Sequence, residues 1–170
     1  QIRPYKEVDT LMKTFQRLND PNVRLLIIGN PANEELEARL ASLAETDDRI
    51  RTVFEFVPGS KVQYYHRAAD VTVLPYHSIL TSGSLILTMT FGRPAIAPNI
   101  GCVQELLDES GGFPYNPDRE DVLFHTLRRA KSTSLDGMGA YNQAMVRNLD
   151  WESLGRRTLR IYERAATDAD

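Results

Sequence analysis

The apolar positions of the chain follow two rhythms. Val8, Leu11, Met12, Phe15 and Leu18 recur at steps of three and four. That is the spacing of one helix face, and it predicts a helix from about Lys6 to Asn19. Asp20-Pro21-Asn22 closes it, because proline disfavours helical geometry in the residue before it. Val23 to Ile28 is then an almost unbroken apolar run ending at Gly29, as expected of a strand covered on both faces. Leu36, Leu40 and Leu43 mark a second helix over Asn33–Ala44, and Ile50–Val57 reads as a second strand closed by Pro58-Gly59. Ser60 can cap a short helix carrying Val62, Tyr65 and Ala69. Val71–Leu74 is a third strand, ended by Pro75. Ser82 or Ser84 opens an apolar helix that runs through Phe91 and stops at Gly92, with Pro94 just beyond. Pro94–Ala97 is a short fourth strand, Val103–Leu107 a helical turn and Gly112–Tyr115 a fifth strand. Asp118–Ala130 is helical, with Leu123, Leu127 and Ala130 on one face, and Ser132–Gly139 is a polar connection containing two glycines. A last helix runs from Trp151 to about Ala166, with Leu154, Thr158, Ile161, Tyr162 and Ala165 on one side. Trp151 and Tyr162 are expected to be core residues.

Helices alternating with strands over short connections predict an α/β fold, a parallel sheet wound on both faces. In such sheets ligands bind at the carboxyl ends of the strands. The loops after Ile28, Val57, Leu74 and Ala97 are therefore the places to look for chemistry. The 170 residues fit one domain with one core. Lys and Arg total 20 against 23 Asp and Glu, a net charge of −3. This argues against a nucleic-acid partner, since phosphate contacts need a surplus of cations. The one cysteine, Cys102, can form neither an internal disulfide nor a Cys-rich zinc site, and it suits a reducing compartment. The longest apolar runs are Leu25–Ile28 and Leu85–Leu87, far from the ~20 residues that span a bilayer. No secretory signal is visible. The chain opens on Gln1-Ile2-Arg3-Pro4 rather than Met, which leaves a targeting segment upstream open.

Three segments carry candidate chemistry. Arg3 and Lys6 stand just before the first helix. Arg can hold a phosphate or diphosphate in a bidentate manner, Lys can hold it as a point charge, and the helix dipole adds to both. Two solvated cations on a frayed terminus explain the same pair, and spacing alone favours them. Ile79 to Leu85 follows the third strand and precedes an apolar helix. There Thr81, Ser82 and Ser84 supply hydroxyls, and Gly83 lets the backbone approach a ligand closely. The first N–H groups of a helix lack internal partners and can bind phosphate. An ordinary serine cap beside a flexible glycine is the even alternative. In Asn99–Glu105, Gly101 permits a turn close to a ligand, whereas Glu105 is explained more simply by its favourable position at a helix start. His66, His77 and His125 lack metal-ligand spacing, and only His77 follows a strand at the ligand end. The chain has no Gly-x-Ser-x-Gly elbow and no Walker-type phosphate loop, and Tyr64-Tyr65 reads as helix packing rather than a stacking platform.

The segments Ile2–Leu11, Val23–Gly29, Phe56-Val57-Pro58, Ala68–Pro75, Phe91–Pro98 and Gly101–Glu105 follow one another in a specific order and spacing. Together they resemble the C-terminal, nucleotide-sugar-binding domain of GT-B-fold glycosyltransferases of the group 1, family 4-like retaining type. The resemblance covers nearly the whole chain. It implies a Rossmann-like parallel sheet with helices on both faces, residues 1–170 forming the donor-binding half of an enzyme. The N-terminal, acceptor-binding half is then absent from this chain. Arg3 and Lys6 match the Arg and Lys that hold the donor diphosphate, and Phe56-Val57 the backbone that receives the nucleobase. Thr81, Ser82, Gly83 and Ser84 occupy the donor loop and the helix N-terminus that takes the distal phosphate, and Glu105 is counted with the substrate-binding residues. No catalytic residue is assigned. Neither metal nor cofactor is implied, because the cations and the helix dipole neutralise the leaving diphosphate. The implied activity is hexosyl transfer from a nucleoside diphosphate sugar to an acceptor, with retention at the anomeric carbon. A cytoplasmic location is expected, with peripheral membrane association through the missing half left open.

Two departures qualify this expectation. The family's paired glutamates, separated by seven residues, fall at Ile79 and Leu87, both aliphatic here. Those carboxylates contact the donor's sugar and ribose hydroxyls, and the hydroxyls of Thr81, Ser82 and Ser84 are the candidates to replace them. The family's last helix packs back toward the N-terminal domain, so the Trp151 helix is expected to lack a partner. The isolated chain is then expected to bind donor weakly and to transfer nothing. A degenerate, non-catalytic domain with a binding or assembly role is the second reading, favoured by Ile79 and Leu87. A GT-B-fold epimerase or phosphorylase and a generic flavodoxin-like domain are the remaining ones. Neither the donor's base and sugar nor the acceptor and oligomeric state is legible.

Overall fold

The computed structural model describes residues 1–119 and 121–167. A 3-10 turn at Pro4–Lys6 leads into α1 (Val8–Gln16), β1 (Leu25–Ile28), α2 (Glu34–Glu45), β2 (Ile50–Val53), α3 (Gly59–Ala68) and β3 (Thr72–Val73). Then follow α4 (Gly83–Thr90), β4 (Ala95–Pro98), α5 (Val103–Leu106), β5 (Gly112–Tyr115), α6 (Val122–Ser132), α7 (Met138–Val146), a 3-10 turn at Arg147–Leu149 and α8 (Trp151–Thr167). The α/β class and the doubly wound arrangement are as expected. Every strand pairing is parallel: β1 with β2, β3 with β4, and β4 with β5. The single sheet expected from the alternation is instead divided into two hydrogen-bonded groups, β1-β2 and β3-β4-β5.

Helices cover the strands from both sides. Leu11, Met12 and Phe15 of α1, Leu36 and Leu40 of α2, and Leu123 and Leu127 of α6 form one core with Leu25, Ile27, Ile50, Ile96 and Phe113 of the strands. Leu85 and Met89 of α4, Val103 of α5 and Leu107 form a second core with Ala95 and Ala97. Period-two alternation thus splits β4 between the cores, Ile96 to one face and its flanking alanines to the other. β1 behaves differently. Leu25 and Ile27 are buried, but Leu26 is 42% exposed, so the run expected to be covered on both faces is covered on one.

Element ends shift for identifiable reasons. Helix α1 starts at Val8 rather than Lys6 because Glu7 adopts a left-handed conformation (φ 49°) between the 3-10 turn and the helix. Strand β2 stops at Val53, whose carbonyl accepts from Gly29 N at the end of β1, so Phe56 and Val57 lie beyond the ladder. Ser60 sits inside the first turn of α3 and does not cap it; Pro58 occupies the cap position. His66 is not a plain surface residue, because its ring stacks on Phe91 with centroids 4.9 Å apart.

Two expectations in the C-terminal part are overturned. The polar connection expected over Ser132–Gly139 contains the last residue of α6 and the start of α7. Gly137 takes φ 81° before α7, and a Cβ at Gly139 would overlap the carbonyl oxygen of Gly92, so both glycines are required by the backbone. Asn142 is fully buried on α7, and its Nδ2 donates to Arg93 O (2.8 Å) and Gly111 O (2.7 Å). Trp151 and Tyr162 are not core residues: they are 90% and 68% exposed, and α8 buries no residue. An open apolar groove runs along α8 between Trp151, Leu154, Thr158, Leu159 and Tyr162.

Asn142 ties together the chain entering β4 and the chain entering β5. Removing it takes a donor from Arg93 O and leaves Gly111 O with only the long bond from Ala95 N (3.4 Å), each loss costing about 1–3 kcal/mol. Asn142→Ala is expected to lower unfolding free energy by about 2–4 kcal/mol, read from the midpoint of urea unfolding at unchanged slope.

Candidate functional site

Parallel pairing puts the carboxyl ends of all strands on one edge, and the candidate residues gather there. Ile2 forms a parallel bridge with Pro31, and its N–H donates to Asn30 O at 2.8 Å, just past the end of β1. From this anchor Pro4 starts the 3-10 turn with its fixed φ, and Lys6 N closes on Arg3 O at 3.0 Å. The turn then reaches the loop after β3. His77 N donates to Tyr5 O (3.0 Å), the Tyr5 and Tyr76 rings lie 6.2 Å apart, and Lys6 Nζ sits 5.9 Å from the centre of the Tyr76 ring. Tyr76 is buried, so this hook is part of the framework and not a surface contact.

The same loop continues into the N-terminus of α4. Ser82 is buried, and its Oγ accepts from Leu85 N at 3.0 Å. The Ser82 hydroxyl oxygen is therefore occupied as a helix cap. The N–H groups of Gly83 and Ser84 in the open first turn have no backbone partner among the described residues. Thr81 and Gly83 are exposed and Ser84 half-buried. The third segment packs against the second. Gly101 takes φ 53° with the Ile79 carbonyl where a Cβ would stand, and Cys102 N donates to Leu80 O at 3.0 Å. The turn at Gly101 thus buttresses the loop before Thr81. Glu105 lies exposed on α5 beside it, with no side-chain hydrogen bond among the described residues.

The structure therefore joins the turn of Arg3 and Lys6 to the start of the loop that runs on through Thr81–Ser84, with Glu105 on the turn that packs against that loop. Phe56 and Val57 lie past β2 on the same edge, Phe56 being 80% exposed, and no hydrogen bond or ring contact among the described residues ties them to the others. His77 contributes its backbone, and its ring is exposed. At the two positions of the absent glutamates, Ile79 packs against the second core and Leu87 is 40% exposed on α4.

The charges of the site favour an anion. Neither Arg3 nor Lys6 has a salt-bridge partner among the described residues; Arg3 Nε donates only to Gln1 Oε1 (3.1 Å). Burial, and then the nearby Arg3 guanidinium, hold the Lys6 ammonium below the ordinary lysine value. Both effects penalise positive charge, and an anion bound between the two side chains would relieve them. Two residues that sequence reasoning passed over border this region. Glu7 accepts from Thr10 Oγ1 at 2.5 Å, and burial, helped by the Glu7 charge, pushes the Tyr115 hydroxyl up to about 12. Glu7 carried no signal in the sequence, because its distinguishing property is its backbone conformation. Among the described residues, no group of three or more His, Cys, Asp or Glu is placed to hold a metal.

Parallel strands flanked by helices, with the loops of interest at the carboxyl edge, define an α/β domain of the doubly wound class. Residues 1–131 match the family described as Glycosyl transferases group 1. The chain belongs to that family, and its fold is that of GT-B glycosyltransferases. The GDP-mannose:glycolipid 4-beta-D-mannosyltransferase of Xanthomonas campestris pv. campestris is 29% identical over 176 residues, covering 99% of this chain and 48% of that protein. The chain thus spans about half the length of this relative. Among solved structures, Anabaena HepE in complex with UDP superposes with a TM-score of 0.82 at 14% identity, covering 96% of this chain and 47% of that one. The C-terminal domain of a Glycosyl Transferase Group 1 Family Protein (LpcC) from Francisella tularensis gives a TM-score of 0.70 at 17% identity, covering 86% and 80%. No helix among the described residues is long and apolar enough to cross a membrane.

The left-handed backbone at Glu7 favours glycine and penalises any residue with a Cβ. Replacing Glu7 by Gly and by Ala removes the same carboxylate, so the two variants differ only in backbone cost. Glu7→Gly is expected to be more stable than Glu7→Ala by about 1 kcal/mol, measured as the difference between their urea unfolding curves.

Proposed function

We propose that this chain is the donor-binding, C-terminal half of a glycosyltransferase that transfers a hexosyl group from a nucleoside diphosphate sugar. In this reading Arg3 and Lys6 grip the diphosphate, and the free N–H groups at the start of α4 take its distal phosphate. Phe56-Val57 receives the base, while Thr81, Ser84 and Glu105 face the sugar side. The observation that carries the reading is the hook of Tyr5 on Tyr76 and His77, which ties the turn carrying Arg3 and Lys6 to the loop that leads into α4. Fixed positive charge at that point stabilises the negative charge that develops on the departing diphosphate. The name of the Xanthomonas relative, with its nucleotide-sugar donor, and the UDP bound to the Anabaena protein support it. The other half of the protein would supply the acceptor site, and a glycolipid acceptor such as that relative's name specifies would bring the whole protein to a membrane surface. The isolated chain is proposed to be inactive.

The resemblance to the retaining group makes retention the proposed course at the anomeric carbon. One observation favours inversion instead: the relative's name specifies a β linkage, which an α-linked donor gives only by inversion. The anomeric proton coupling of the product, compared with that of the donor, decides between the two. The reading as a degenerate binding domain rests on Ile79 and Leu87, and it predicts that no nucleotide binds the whole protein.

The test is a titration of nucleoside diphosphates and nucleotide sugars followed by NMR shift mapping. One nucleotide is expected to bind saturably, shifting residues 3–6 and 81–84. Arg3→Ala with Lys6→Ala should weaken it at least tenfold. Binding should also raise the Lys6 ammonium pKa from its lowered value, read from its side-chain carbon shifts against pH. Equal affinity in the double variant would reject the cation assignment.

A further inference from the structure

Helix α3 buries no residue, and among the described residues none of its side chains forms or lines either core. One ring stack and one hydrogen bond join it to the rest of the fold, both at its C-terminal end. The His66 ring lies on the Phe91 ring at the end of α4, with centroids 4.9 Å apart and planes 17° from parallel. Arg93, two residues further on, donates from Nη2 to Arg67 O at 3.0 Å. A helix of 10 residues is marginal in water without tertiary support. The helical state of α3 therefore depends on this corner.

The corner is poor ground for a second cation. Arg93 has no salt-bridge partner among the described residues, and its buried Nε has no acceptor there. No carboxylate among them stands within 4.0 Å of the His66 ring nitrogens. Arg67, the next residue of α3, is a further positive charge. Burial first, and then Arg93, hold the His66 imidazole below its ordinary value of 6.5. An aromatic face attracts a cation, but an imidazolium here must give up water and stand beside a guanidinium, and both oppose it. We propose that His66 is a proton-operated latch: neutral, it stacks on Phe91 and holds α3 to α4; protonated, it leaves the corner and α3 frays. The docked state is the one that disfavours the proton. Its hold is therefore at full strength above pH 6.5 and weakens as pH falls from there through the lowered value. Phe56-Val57-Pro58 runs directly into the first turn of α3, so release also slackens the segment that receives the base in the reading above. That consequence rests on the reading, whereas the latch does not.

Hydrogen exchange of the protein, read residue by residue at about pH 7.5 and about pH 5.5, tests it. Rates are expressed as protection relative to an unstructured chain at the same pH. The amides from Gln63 to Ala69 are expected to lose about threefold or more of their protection at the lower pH, the equivalent of about half a unit of pKa difference. The loss should follow the titration of the His66 ring shifts. His66→Phe keeps a stacking ring without the proton, and its α3 is expected to be equally protected at both pH values. His66→Ala should leave α3 poorly protected at both. The amides of β4 and α6 report in every case that the domain remains folded. Three results overturn the inference: equal protection of α3 at the two pH values in the unaltered protein, greater protection at the lower one, or the same loss in His66→Phe.

Discussion

Parallel pairing is the constraint on which the rest of this structure depends. A strand followed by a parallel neighbour must be joined by a crossover that returns the chain to the starting end. Every functional loop therefore leaves from one edge and every structural return arrives at the other. This is why Arg3 and Lys6, the Thr81–Ser84 loop and the turn at Gly101 meet although they come from distant parts of the chain. No side chain had to be selected to bring them together; the direction of the strands does it.

Local tethers then turn proximity into a site. Ile2 on Asn30 and Tyr5 on His77 stretch the N-terminal turn across the edge, and the Tyr76 ring backs Lys6. A lysine held on an aromatic face and half-removed from water has little rotamer freedom left to lose when an anion arrives. Its own charge is meanwhile penalised by burial and by Arg3. Both effects raise the cost of a positive charge at Lys6. The residues at 79 and 87 are both aliphatic. Ile79 packs, partly buried, against the second core, where an aliphatic side chain gains what a carboxylate would lose.

Much of this is legible in the sequence, and what is not has a physical pattern. Gly112–Tyr115 can be read with its final bounds, and Trp151–Ala166 to within one residue of α8, because glycine, proline and strong amphipathic spacing mark them. The bare amphipathic pattern of α8 does not tell a buried face from an unpartnered one, and so it places Trp151 and Tyr162 inside. α7 is hidden because its two glycines read as loop, whereas Gly137 caps the helix and Gly139 meets Gly92. The divided sheet is illegible for a related reason: it depends on which neighbour stands beside a strand, not on the strand's own residues. In the site, Arg3 and Lys6 are visible by spacing and resemblance. The Tyr5–Tyr76 hook and the backbone of Glu7 exist only in three dimensions.

Asn142 gives the arrangement a further property. Its amide grips Arg93 O and Gly111 O, the carbonyls through which the chain enters β4 and β5. These lie at the opposite pole from the loops that carry the candidate chemistry. Rigidity and recognition are therefore anchored in separate places, and substitutions at one pole need not loosen the other. A lineage could exchange residues at the carboxyl edge, such as Ile79 in its loop and Leu87 on α4, while the clamp at the far end keeps the domain intact.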